Sequence, residues 1–390
     1  MRTVAIVHPS MHFIGGAERL ITDLAVGLAD NETRVQLVTG LCHDVWRTEL
    51  CRNKFVSLAE LGRIAPGSLS FWLSVPRIAH AFSSLIEADV DVILTSSFPA
   101  SIIGEKYGVK HHAMIVHYLH EAPMVLHDAV GVNALPLGLR TFYRTMSAVY
   151  AKADIEAVRG SDKIIANSRL TRRANSEVYG ISESDMQVIY PGVSAQCVSS
   201  HTRVPKMISS YVKEGIPILF IPRGVQAWRN PETCLGALRE LNFPFLAVFT
   251  GGTDHKGDQL LRRAKVFGIA DRILWRRELP NENIAGLYLR SLVVISIPKR
   301  QPFGLIPLEA LIHGAAPIIS RSSGVSEVLR DRVDVICVDE SDPMELSNAI
   351  KTLVSDDALR KKIVTNGNRT VVERLSSARF VNEMRAKLFE

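Results

Sequence analysis

Residues 300–317 read Arg300-Gln301-Pro302-Phe303-Gly304-Leu305-Ile306-Pro307-Leu308-Glu309-Ala310-Leu311-Ile312-His313-Gly314-Ala315-Ala316-Pro317. The spacing predicts an apolar helix over Pro307–His313 that carries one acid, Glu309, and is entered through Pro302 and Gly304. Leu292–Ile297 before it and Ala316–Ile319 after it are short apolar runs, as buried parallel strands are. Strand, helix and strand in immediate succession make a βαβ unit and imply a parallel sheet. A helix entry of this kind has free backbone N–H groups and the positive end of the helix dipole, so it suits a phosphate. A single carboxylate one or two turns in can hold a sugar or ribose hydroxyl.

The same alternation extends in both directions. Upstream, apolar runs at Ile216–Ile221, Phe245–Thr250 and Arg272–Trp275 are separated by helical patterns at Pro231–Leu241, Gly257–Phe267 and Ile284–Ser291. Downstream come Val335–Val338 and the helical pattern Pro343–Val354. An independent set opens the chain. Strands are predicted at Val4–Val7, Arg34–Thr39, Val90–Thr95, Ala113–Val116 and Lys163–Ala166, with helices at Ala17–Leu28, Pro76–Ala88 and Leu139–Val158. The pattern resets after Tyr190-Pro191-Gly192-Val193, where residues 194–214 are polar and punctuated like a linker with a lead-in helix. Ser377–Phe389 is amphipathic, with Phe380, Met384 and Phe389 roughly along one face.

With 390 residues, 47% of them apolar, the chain can build two full cores. Its net charge of +6, from 46 basic and 40 acidic residues, suits anionic small ligands or an anionic surface and is too diffuse for nucleic acid. The five cysteines are odd in number and contain no Cys-x-x-Cys, so neither a disulfide framework nor a zinc site is expected. The first apolar run is too short for a signal peptide, and nothing approaches a membrane span.

Several strand ends carry residues suited to an anionic, hydroxyl-rich ligand. Gly15-Gly16 follows the first strand and directs a helix N-terminus at the space beyond it; glycine there permits positive φ and close backbone approach. His117 and His120 follow the strand Ala113–Val116, and a histidine at the carboxyl end of a parallel strand points to the usual ligand crevice. The same residues also read as hydrogen-bonded structural histidines. Arg223, after Ile218–Ile221, and Arg229, six residues on, can clamp a diphosphate through charge-assisted hydrogen bonds. Thr250-Gly251-Gly252 ends another strand. Arg140, Arg144 and Lys152, interleaved with Phe142, Tyr143, Met146 and Tyr150, make a basic amphipathic helix that fits an anionic lipid surface or a solvated face.

In order and spacing these segments resemble retaining glycosyltransferases of the GT-B fold, family 4, along the whole chain. The resemblance implies an α/β fold with two Rossmann-like domains facing across a cleft. These would be an acceptor-binding domain over 1–195, a linker over 196–214, a nucleotide-sugar donor domain over 215–375, and a terminal helix over 376–390 that crosses back to the first domain. It implies that Gly16 faces the donor diphosphate, that Arg223 and Arg229 bind it, and that amides at Phe303, Gly304 and Leu305 meet the sugar and phosphate. Glu309 would hold the ribose hydroxyls. His120, with Pro123 after it, would sit under the transferred sugar, His117 being the alternative. Trp275 or Arg276 would border the nucleobase. His120, Gln301 and Glu309 make up the implied catalytic set.

This sequence departs from the family pattern at three positions. Pro222 stands for a glycine, Arg229 for a lysine, and Gln301 for the first of two acids, so the sugar is met by an amide with no charge. The implied activity is transfer of a hexose from UDP-hexose or GDP-mannose to a hydroxyl of a glycan or lipid-linked acceptor, with retention and with no metal or organic cofactor. The implied location is cytoplasmic, at the inner face of the membrane where the N-terminal domain touches it. The departures motivate a second reading, a sugar-nucleotide-binding homologue with weak or no transfer. A phosphorylase would need a pyridoxal-phosphate lysine, and none is identifiable.

Overall fold

The structure is a computed structural model and describes residues 1–62, 69–120, 123–128, 132–133, 135, 137–194 and 204–390. The chain divides into two compact units, Met1–Pro191 with Ser377–Glu390, and Gly192–Ser376.

The first unit runs β1 (Arg2–Val7), α1 (Gly16–Leu28), β2 (Thr33–Thr39), α2 (Asp44–Leu50), β3 (Val56–Glu60), α3 (Leu69–Leu85), β4 (Val92–Thr95), α4 (Ala100–His111), β5 (Met114–Leu119), α5 (Met124–His127), α6 (Leu137–Arg159), β6 (Lys163–Ala166), α7 (Arg169–Tyr179) and β7 (Met186–Val188). Its strands form one parallel sheet in the order β3-β2-β1-β4-β5-β6-β7. Strand order reverses between β1 and β4, which is where a doubly wound sheet opens a crevice at the carboxyl ends of its strands.

The second unit repeats the plan with α8 (Ser209–Lys213), β8 (Ile218–Ile221), α9 (Pro231–Arg239), β9 (Leu246–Thr250), α10 (Asp254–Val266), β10 (Ile273–Arg276), α11 (Asn281–Arg290), β11 (Val293–Ser296), α12 (Ile306–Ile312), β12 (Ala316–Ser320), β13 (Ile336–Val338), α13 (Pro343–Ser355) and α14 (Asp357–Arg374). The parallel order is β10-β9-β8-β11-β12-β13, so its switch point lies between β8 and β11. Central strands are buried throughout, as at Leu219, Phe220, Val294 and Ile295, which is why they read as unbroken apolar runs.

The final helix, α15 (Ser377–Phe389), belongs to the first unit. Phe380, Met384 and Leu388 enter the core around Leu20, Ile21 and Leu24 of α1. A Cβ at Gly27 would lie 2.7 Å from Val381, so the glycine lets α15 approach α1 closely. Arg385 then donates to the carbonyls of Gly27 and Leu28 at 3.0 and 2.9 Å, satisfying acceptors that the end of α1 leaves open.

Several elements differ from the sequence expectation. Strand β3 lies at a sheet edge and is only half-buried, and β7 is three residues long, so neither shows a buried apolar run. The helix expected to begin at Pro76 begins at Leu69 and takes Pro76 into its interior. Proline has no N–H to give the Trp72 carbonyl one turn back; the hydroxyl of Tyr150 on α6 donates to that carbonyl instead, at 3.0 Å. The expected linker over 196–214 lies outside the described residues as far as 203. From Val204 on it packs into the second unit, where Ile208 is fully buried and Met207, Tyr211 and Val212 cover the same core. The described cysteines, Cys42, Cys51, Cys234 and Cys337, are free.

Candidate functional site

In the second unit the chain leaves β8 through a tight turn, with Arg223 in the left-handed region at φ +54 and its N–H given to Thr250 Oγ1 at 3.2 Å. A one-turn 3-10 helix, Ala227–Arg229, follows. Its neighbours tie it to the end of β11: Lys299 N–H donates to the Trp228 carbonyl at 2.9 Å, and Asn230 Nδ2 donates to the Ile297 carbonyl at 2.8 Å. Arg229 is thereby carried to the switch point between β8 and β11.

Its guanidinium is buried, lies 4.2 Å from the centre of the Trp228 ring, and leaves Nε and Nη1 without hydrogen-bond partners among the described residues. Burial, and then the charge of Arg223, lower its pKa to about 10, so it stays charged at neutral pH. A buried cation with two unsatisfied donors is costly unless an anion completes it.

Glu309 lies on α12, half-buried. Its Oε2 accepts from the hydroxyl of Tyr288 on α11 at 2.7 Å. Tyr288 is itself fixed, stacked on His313 at 5.3 Å and edge-on to Phe220 at 5.0 Å. The charges of Arg223 and Glu309 both act on Arg229 and on Tyr288, so the structure gathers four residues from separate segments into one polar neighbourhood.

The loop before α12 is pinned from behind by the Gly324 and Val325 amides, which donate to the Gln301 and Phe303 carbonyls at 3.0 and 3.1 Å. Gly304 has φ +109, and a Cβ there would stand 3.1 Å from the amide carbon of Gln301. The Phe303 side chain is buried in the core, which leaves only its backbone for a ligand. Leu305 caps α12 and its carbonyl accepts from Glu309 N–H at 3.0 Å. Trp275 is committed to packing: its N–H goes to the Gly251 carbonyl at 3.0 Å, and its ring presses on Gly257, where a Cβ would clash at 2.4 Å. Arg276 beside it is exposed, with Nη1 donating to the Trp275 carbonyl at 2.8 Å.

In the first unit Gly15 is extended, at φ −121, and Gly16 is the exposed first residue of α1. Neither uses the positive φ that glycine permits. His117 and His120 stand at the end of β5. His117 Nδ1 pairs with the Thr95 hydroxyl at the end of β4. His120 packs edge-on to Tyr118 at 4.9 Å, and its Nε2 is buried without a partner among the described residues.

A third histidine, His8 at the end of β1, pairs through Nδ1 with Ser96 Oγ at 3.3 Å. Burial lowers the pKa of His8 and His117 to about 4 and that of His120 to about 3, the last helped by the other two rings. All three are neutral near pH 7, so His120 offers a hydrogen-bonding nitrogen and no charge. Sequence reasoning passes over His8 and Tyr288. His8 obeys the strand-end rule that draws attention to His117, whereas Tyr288 has no local signal.

Two parallel sheets, each with polar residues gathered at the carboxyl ends of its strands, define a doubly wound α/β protein of two units. Comparisons with known proteins agree. The family model described as Glycosyltransferase Family 4 matches residues 14–196, and that described as Glycosyl transferases group 1 matches residues 209–370. The chain belongs to the group 1, family 4 glycosyltransferases.

Among relatives, the D-inositol 3-phosphate glycosyltransferase of Acidothermus cellulolyticus is 23% identical over 70% of this chain, which spans 61% of that protein's length. The Alpha-1,3/1,6-mannosyltransferase ALG2 of Mus musculus is 22% identical over 98% of this chain and 94% of its own. Among solved structures, Anabaena Alr3699/HepE in complex with UDP and glucose superposes with a TM-score of 0.77 at 18% identity, covering 100% of this chain and 99% of that one. Sucrose-phosphate synthase from Thermosynechococcus elongatus gives 0.77 at 16%, over 99% and 98%. At these identities the superpositions establish the GT-B fold.

Proposed function

We propose that this protein transfers a hexose, with retention, from a nucleoside-diphosphate sugar to a hydroxyl of a glycan or lipid-linked acceptor. The observation that carries the reading is the buried guanidinium of Arg229, charged, with two unused donors, at the switch point of the second sheet. A diphosphate is the ligand chemistry that completes it, with the exposed Arg223 beside it as a second cation. Glu309, steadied by Tyr288, takes the ribose hydroxyls. Gln301 and the Gly304 backbone meet the sugar, and Arg276 borders the base. Complexes of HepE with UDP and with UDP-glucose favour a uridine nucleotide, and the mannosyltransferase relatives keep GDP-mannose in play.

In the proposed step the bond from the sugar's anomeric carbon to the β-phosphate oxygen breaks. The acceptor oxygen bonds to that carbon on the same face, and the acceptor's proton passes to the departing diphosphate. Arg229 and Arg223 offset the charge that develops on the leaving group. Neutral His120 hydrogen-bonds the sugar and does not act as a charged acid near pH 7. Purified protein incubated with UDP-glucose, UDP-galactose and GDP-mannose and a mixed glycan and polyprenol acceptor panel should release UDP or GDP from one donor. Nucleotide binding without release from any donor would instead support a binding homologue without transfer.

A further inference from the structure

β5 and β6 lie side by side in parallel, with Tyr118 opposite Ile165 and Leu119 opposite Ala166. The ladder continues one bond past both strands, where the Asn167 N–H donates to the Leu119 carbonyl at 3.2 Å. Residues two apart on a strand share a face of the sheet. Tyr118 and Ile165 both enter the core formed with α1 and α15, so His120 and Asn167, two positions on, leave the sheet on that same face. The edge-on contact between His120 and Tyr118 agrees. The spacing of paired strands sets the two backbones about 5 Å apart.

Each of the two brings an unused polar atom. Asn167 is 4% exposed, and its Oδ1, like His120 Nε2, is buried without a partner among the described residues. The neighbouring hydroxyls are engaged elsewhere. Ser168 Oγ accepts from the Thr171 N–H at 2.9 Å as the cap of α7, and Thr171 Oγ1 donates to the His120 carbonyl at 3.2 Å. These bonds tie the turn after β6 to the His120 backbone. A buried amide oxygen without a donor destabilises the empty protein, and a ligand that supplies the donor removes that cost. An acceptor oxygen beside a neutral imidazole disfavours an anion and suits a hydroxyl.

We propose that Asn167 is a specificity-determining residue for the transferred hexose, its Oδ1 accepting a hydrogen bond from a sugar hydroxyl that also meets His120 Nε2. The inference rests on the transfer reading above, in which His120 bonds the sugar, and extends it to a residue that no motif marks. The pair separates a hexose from the deoxy analogue that lacks this hydroxyl, because the analogue leaves both buried atoms without partners.

Calorimetric titration of UDP, UDP-glucose, GDP and GDP-mannose into wild type, Asn167→Ala and Asn167→Leu tests this, with thermal melts of each protein alone. Asn167→Ala should weaken the sugar nucleotide about tenfold and leave the bare nucleotide unchanged. Its ligand-free Tm should stay within about 3 °C of wild type, because the amide oxygen has no bond in the fold to lose. His120→Ala combined with Asn167→Ala should weaken the sugar nucleotide by less than the product of the two single effects, as both residues hold one hydroxyl. Should the alanine variant fail to fold, Asn167→Leu, which fills the amide's volume with apolar atoms, is read in the same way. Sugar nucleotide and bare nucleotide weakened alike, or a folded variant that binds both as wild type does, would overturn the proposal; a raised acceptor KM in that folded variant would assign Asn167 to the acceptor instead. A larger Tm loss in both variants would make Asn167 a structural residue and overturn it too. Wild type that binds no nucleotide at all fails the transfer reading itself, and is thereby told apart from failure of this inference.

Discussion

The hydroxyl of Tyr288 on α11 donates to Oε2 of Glu309 on α12 across 2.7 Å, and that bond orients the acid assigned to the ribose. Tyr288→Phe keeps the ring stacked on His313 and removes only the donor. Donor KM should rise about tenfold, or about 1.4 kcal/mol, with kcat and Tm nearly unchanged. Steady-state kinetics over a donor series checks this. A fall in kcat alone would place Glu309 elsewhere in the reaction.

Gly304 combines φ +109 with a gap of 3.1 Å from its would-be Cβ to the Gln301 amide. Gly304→Ala should cost about 1–3 kcal/mol of stability and displace Gln301, weakening donor binding as well. Gly314→Ala is the comparison: its φ is +84 with nothing near the added carbon, so it should lower Tm and leave nucleotide affinity intact. Thermal melts with and without UDP separate the two effects.

The buried histidines His8 and His117 make the first unit acid-sensitive. In the unfolded chain each titrates near its ordinary 6.5, while burial holds His8 and His117 at about 4 when folded. Above about pH 6.5 both states are deprotonated and nothing is lost. Between about 6.5 and 4 the unfolded chain takes up protons that the folded chain refuses, so stability falls as pH falls. The loss reaches at most about 3 kcal/mol for each of these two rings. His8→Asn should flatten the slope of urea-unfolding free energy over that window. An unchanged slope would mean that His8 is not buried neutral.

Asp23 on α1 behaves oppositely. Burial raises its pKa to about 6, with Arg19 opposing and Glu49 reinforcing the shift, and its Oδ2 accepts a 3.4 Å hydrogen bond from Ser377 at the start of α15. A carboxyl raised from its ordinary 3.8 favours the folded state while protonated, and that advantage is lost as pH rises through about 6. Asp23→Asn should therefore stabilise the protein by about 1–2 kcal/mol near pH 7.5 and by little near pH 4, allowing for partial exposure. Equal gains at both pH values would contradict the burial argument.

What can be read from the sequence follows from where the physics is local. Buried central strands are continuous β-branched runs, so Lys163–Ala166 is found to the residue, whereas half-buried β3 and three-residue β7 leave no such trace. Sequence reasoning begins the Pro76 helix too late because the residue that compensates for the proline, Tyr150, is 74 positions away. Arg229 and Glu309 are legible from motif order. Tyr288 is not, because its bond to Glu309 spans 21 positions and only the packing of α11 on α12 brings the two together. The contacts of Trp275, one of the two residues that would border the base, are also out of reach of the sequence: its N–H bonds the Gly251 carbonyl 24 positions away and its ring rests on Gly257.

Arg229 is the residue on which nucleotide binding depends most in this proposal. Calorimetric titration of UDP and of GDP into wild type and Arg229→Ala measures it directly, with exposed Arg239→Ala, paired to Glu240 at 2.9 Å, as the control. One nucleotide should bind wild type and the Arg239 variant alike, and Arg229→Ala should weaken it by about ten- to a hundredfold. Equal affinity of the wild type and Arg229→Ala, or no binding of either nucleotide to the wild type, would contradict that dependence.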